Sequence, residues 1–104
     1  MTTWLNVKIE GETAVIEFNL TPTQTITYND IPAVVEKVFN AICGSGARVK
    51  VVKVTGRGPI WLYSALTHVV AHCAAAVAVF DAINKQYVVV VTHSTEYKIG
   101  QVIE

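Results

Sequence analysis

A chain of 104 residues that is 52% hydrophobic and 15% charged is one domain, large enough for a core but with little stability in reserve as a monomer. Its formal net charge of zero excludes generic binding along DNA or RNA backbones, which needs clustered Lys and Arg, and leaves room for a small anion held by a few local groups. The apolar surplus predicts that part of the surface is covered by another subunit.

Taken in order, Leu5, Val7 and Ile9 alternate with Asn6, Lys8 and Glu10, the period of a half-buried strand from Trp4 to Glu10. No leader signature of basic and then long apolar residues stands at Met1 to Leu5. Gly11 marks a turn, and Ala14, Ile16, Phe18 and Leu20 alternate through a second strand that pairs back as a hairpin. Thr21 to Thr27, with Pro22, is a connection. Asn29 and Asp30 are placed to cap a helix with Pro32 in its first turn. The stripe Ile31, Val34, Val35, Val38, Phe39 and Ile42 faces a core, and Gly44-Ser45-Gly46 stops the helix.

Arg48 to Val54 reads as a buried, β-branched strand. It turns through Gly56-Arg57-Gly58 into a helix from Pro59 to His72, with Pro59 where a missing N–H is tolerated. A strand that enters a helix through glycines makes an anion site, since backbone approaches a ligand closely and first-turn N–H groups are free. Arg57 adds a forked cation suited to phosphate or carboxylate. A tight structural turn is the competing explanation. At about 100° per residue, Leu62, Leu66, Val69 and Cys73 share one side of the helix, and Trp61, Ser64, His68 and His72 the opposite side.

Ala75 to Phe80 is a short buried strand ending at Asp81. The loop to Gln86 leads into an antiparallel partner, Tyr87 to Thr92, followed by His93-Ser94, and Val102-Ile103 forms a small edge segment. The stretch Val69 to Phe80, broken by His72, is too short to span a bilayer. Cys43 and Cys73 lie in apolar helical patterns and read as buried, reduced thiols, which fits a soluble cytoplasmic protein. The fold predicted is α/β (α+β mixed): a mixed parallel/antiparallel sheet of about five strands with two helices, in the order ββαβαββ, with a parallel crossover in the middle and antiparallel outer parts.

Geometry constrains the chemistry. An extended strand at about 3.3 Å per residue puts Asp81 roughly 20 Å or more from His72. His93 returns toward His72, whereas Asp81 joins the Gly-Arg-Gly end, beyond the carboxyl ends of the parallel strands where ligands tend to sit. His72 and Asp81 can therefore act together only across a subunit contact. Alone, Asp81 reads equally as the first residue of an Asx-type turn.

Gly56-Arg57-Gly58-Pro59-Ile60-Trp61-Leu62, Leu66-Thr67-His68, Val77-Ala78-Val79-Phe80-Asp81, Val88-Val89-Val90 and His93-Ser94 resemble the small CRISPR-associated ring nucleases of type III systems. The likeness runs through residues 55 to 103, and in the first half it holds only for the strand and helix pattern. It implies a single ring-nuclease-like domain, residues 1–104, acting as a manganese-dependent phosphodiesterase on cyclic tetra-adenylate. It further implies homodimers that stack head to tail on the ligand, with no DNA partner. His72 and Asp81 match the family's catalytic and metal-site positions, at a spacing one residue longer. Gly56, Arg57, Gly58, Pro59, Trp61, His68, Lys85, His93 and Ser94 are the implied ligand-binding set. The family's Pro and Arg after the Asp are replaced here by Ala82-Ile83-Asn84-Lys85, and Lys85 lacks the forked geometry of Arg. Binding of cyclic oligoadenylate without cleavage is the alternative.

Overall fold

Alternation of apolar residues builds the sheet, and the computed structural model, which describes residues 4–20, 25–44 and 49–104, shows six strands in sequential order. These are β1 (Leu5–Glu10), β2 (Thr13–Asn19), β3 (Val49–Arg57), β4 (Ala74–Asp81), β5 (Gln86–Thr92) and β6 (Val102–Ile103). The predicted mixed α/β sheet with two helices is present, and the C-terminal edge segment adds the sixth strand. β1–β2, β4–β5 and β5–β6 pair antiparallel, whereas β2–β3 and β3–β4 pair parallel. The parallel part is wider than expected, because the step from β2 to β3 is itself a crossover carrying the first helix.

That helix, α1 (Ile31–Val38), follows a 3-10 turn at Tyr28–Asp30 and runs into a π turn at Phe39–Cys43. The side-chain cap falls on that 3-10 turn, at Thr27, rather than on α1 at Asn29 or Asp30. Thr27 accepts from the Asn29 N–H at 3.2 Å, and the Asp30 carboxylate accepts from the Thr27 N–H at 2.8 Å, the reciprocal arrangement of a capping box. Asp30 therefore serves the preceding turn and makes no side-chain cap on α1 itself. Gly44 closes the π turn with its N–H 2.8 Å from the Phe39 carbonyl. The remaining glycine-stop residues, Ser45 and Gly46, the Thr21 to Gln24 part of the connection, and Arg48 lie outside the described residues.

The second helix, α2 (Ile60–Ala71), joins β3 to β4. Val34, Val38 and Ile42 of the first helical unit and Leu62, Leu66 and Val70 of α2 share one buried cluster with Ile16, Phe18, Val52, Val54 and Val77. Both helices thus cover the same face of the sheet. Val70, rather than Val69, is the fully buried third position of α2. On the opposite face, Val51, Ala76, Ala78 and Val89 form a smaller cluster covered by Tyr87, Tyr97 and Ile103.

One expectation is overturned. Cys43 and Cys73 are not free buried thiols: they form a disulfide, with Cα atoms 5.4 Å apart, and both residues are only half-buried. Packing α1 beside α2 brings the two helix ends together, which spacing along the chain does not reveal. No helix among the described residues is long and apolar enough to cross a membrane.

Candidate functional site

β3 does not turn at Gly56. The strand continues to Arg57, with Gly56 opposite Phe18 and Arg57 opposite Asn19 of β2. Gly56 has φ +122°, and a Cβ there would run into the Phe18 backbone, whose carbonyl oxygen and N–H lie against it. At Gly58 a Cβ would meet the Phe18 ring at 2.8 Å. Both glycines are therefore required by close approach to a fully buried Phe18, which supplies a packing reason for the motif beside any ligand role.

The same end of the sheet forms a cavity of about 620 Å³ lined by Asn19, Leu20, Thr55, Gly56, Arg57, Tyr63, Phe80 and Ala82. Arg57 is exposed there. The Tyr63 hydroxyl donates to the Gly56 carbonyl at 2.5 Å, and its ring meets that of Phe18 edge-on, with centroids 4.8 Å apart. Burial, and to a lesser degree the neighbouring Tyr87, pushes the Tyr63 hydroxyl above its ordinary pKa, keeping it a donor. The β3–β4 pairing, Val54 with Val79, brings Asp81 to this end as well.

Asp81 is engaged in its own turn. Its carboxylate accepts from the Ile83 N–H at 3.1 Å, the Asn84 N–H at 3.4 Å and the Asn84 side-chain amide at 2.8 Å. These bonds, the Asn84 side chain first, hold its pKa below the usual carboxylate value. This is the Asx-type turn that the sequence left open. Lys85 completes the loop in the left-handed region at φ 53° and is exposed.

The other end of β4 carries the imidazoles. His68 and His72 are exposed on α2, one turn apart, with their Nε2 atoms 3.1 Å from each other and ring centroids 4.9 Å apart. The backbone N–H of His93 donates to the Ala75 carbonyl at 2.8 Å, which puts His93 at this same end. Eight residues of extended strand, Ala74–Asp81, separate His72 from Asp81, or roughly 25 Å. One chain cannot hold a single ion between them. Among the described residues no group of three or more His, Cys, Asp or Glu is placed to hold a metal. The manganese implied by the resemblance does not fit a site within one chain.

The family model for the CRISPR-associated protein Cas_csx3 matches residues 21–104. The chain belongs to the Cas_csx3 family. The match reaches back through α1, beyond the half of the chain where residue motifs are visible. This Cas_csx3 protein is also similar to an uncharacterized protein of Aquifex aeolicus (strain VF5), at 35% identity over 97% of this chain and 86% of the relative.

The remaining predicted positions of this Cas_csx3 chain have local structural duties. Pro59 is the N-cap of α2 in an extended conformation. Trp61 is half-buried against the main core rather than aligned in the open with the histidines. The Ser94 hydroxyl accepts from the Glu96 N–H at 3.1 Å, and its backbone is tied to the Thr92 hydroxyl. The structure adds Asn19, Tyr63 and Phe80 beside Arg57 in the cavity at that end of the sheet. Asn19 reaches it only because β2 pairs parallel with β3, and no spacing in the sequence announces that register.

Proposed function

We propose that this CRISPR-associated protein is a ring nuclease that opens a cyclic oligoadenylate, cyclic tetra-adenylate foremost, at a site shared between copies of the chain. The observation that carries the reading is the division of labour along β4. The cation Arg57 and the carboxylate Asp81 stand at one end, and His68, His72 and His93 stand at the other. In a head-to-tail stack, the Arg57 end of one dimer meets the histidine end of the next. Arg57 then holds phosphate oxygens, and an imidazole transfers a proton at the ribose or leaving oxygen. Manganese in this reading would be held by His72 of one subunit and Asp81 of another, and would supply charge stabilisation at the phosphoryl group. In this reading we assign the homodimer contact to the apolar groove between α2 and strands β4 and β5, where Ile60 is 84% and Val90 is 40% exposed.

A second reading, binding without cleavage, is favoured by one specific feature. The Asp81 carboxylate is already satisfied by Ile83 and Asn84, and the cation that follows it is Lys85 rather than Arg. Incubation with cyclic tetra-adenylate, with and without manganese, separates the readings. Linear products that depend on His72 support the nuclease, binding without products supports sequestration, and absence of binding rejects both.

A further inference from the structure

We infer that Cys43 and Cys73 are a reversible redox site whose oxidation state sets the geometry of the His68–His72 turn. The disulfide ties the end of the π turn after α1 to the residue directly following His72. Both cysteines are half-buried, so a small thiol reaches the bond. Each sulfur also lies beside a carbonyl oxygen that a thiol can donate to. Cys43 Sγ is 3.8 Å from the Val69 carbonyl, and Cys73 Sγ is 3.6 Å from that of Val70. The fold thus has partners ready for both states, a covalent bridge when oxidised and two S–H donors on α2 when reduced.

Those two carbonyls belong to the turn bracketed by His68 and His72, and the Cys73 N–H already donates to Val70 at 3.1 Å. Reduction removes the tether to α1 and loads the last carbonyls of α2 with new donors. The imidazole pair, held at 3.1 Å in the bridged form, is the part of the helix that must respond. The exchange is balanced with a dithiol as co-reactant. One thiolate of the reductant attacks a protein sulfur, breaking the Cys43–Cys73 bond and forming a mixed disulfide. Its second thiol then resolves the intermediate, leaving two protein thiols and an oxidised reductant, with two electrons and two protons transferred to the protein. Where glutathione buffers the compartment, a disulfide that does form is commonly transient and redox-sensing.

The test uses the intact chain and no nucleotide, so it stands or falls apart from the nuclease reading. The protein is equilibrated in reduced and oxidised dithiothreitol at graded ratios, then alkylated and weighed, while long-range ¹H–¹⁵N spectra follow its three histidines. The expected result is a reversible passage from zero to two alkylated thiols per chain, with the His68 and His72 signals moving at the same ratios. In Cys43→Ser/Cys73→Ser those signals stay at one position throughout. A pair that remains bridged at every ratio is a structural staple, and a pair that never bridges is no redox site. Histidine signals that hold still while the thiols change rule out the coupling. Any of these three results overturns the inference.

Discussion

Replacing Gly56 by Ala tests whether the glycine motif exists for packing. At φ +122° the backbone occupies a region that L residues avoid, and the new Cβ meets the Phe18 backbone across the parallel β2–β3 ladder. The conformational strain is about 1–3 kcal/mol. Displacing a main-chain neighbour in a packed layer adds about 1–3 kcal/mol. Together these come to about 2–6 kcal/mol, a large part of the roughly 5–15 kcal/mol that holds a domain folded. Gly11 is the internal control, because its φ is +61° and nothing lies within 4 Å of its Cβ position. Gly11→Ala carries only the left-handed penalty of about 1–2 kcal/mol, less a few tenths regained from the stiffer unfolded chain. Urea unfolding of both variants reads the difference, with Gly56→Ala losing about 1–4 kcal/mol more than Gly11→Ala. Equal losses would refute the close approach to Phe18 and return Gly56 to a role in ligand contact.

Arg57→Ala leaves the urea midpoint unchanged, since the side chain is exposed, and weakens binding of cyclic tetra-adenylate by about 1.5–3 kcal/mol, one charge-assisted hydrogen bond; a titration with unaltered affinity sinks the anion site. His72→Ala and Asp81→Ala are each inactive alone, and mixing them restores part of the activity, because each site draws one residue from each of two subunits. Mixed variants that bind ligand and exchange subunits yet stay dead defeat the shared site. Asn84→Ala raises the Asp81 pKa toward the ordinary carboxylate value, as seen by carboxyl NMR titration, since the Asn84 side chain is the chief cause of its depression. The sign follows: a depressed folded pKa means that the turn's contribution is present above the unfolded pKa and fades as pH falls through the folded one. Reduction of Cys43–Cys73, which span 30 residues of sequence, lowers stability by up to about 3.7 kcal/mol on the chain-entropy account; a melting curve indifferent to dithiothreitol contradicts that.

Strands, helices and the opposed ends of β4 were legible in the sequence, because alternation and helical periodicity are local and an extended strand has a known rise. That rise alone placed His72 and Asp81 too far apart to meet within a chain. The Asx turn at Asp81 was legible as one of two alternatives, and the hydrogen bonds from Ile83 and Asn84 decided between them. Tertiary structure alone decided what depends on neighbours distant in sequence. The parallel register of β2 against β3 turned Gly56 and Gly58 into clearance for Phe18 and brought Asn19 beside Arg57. The packing of α1 beside α2 converted two isolated cysteines into a disulfide next to His72. Periodicity states which face of an element is apolar, but not which partner that face finds, since the partner is selected by summed burial over the whole sheet and not by any local signal.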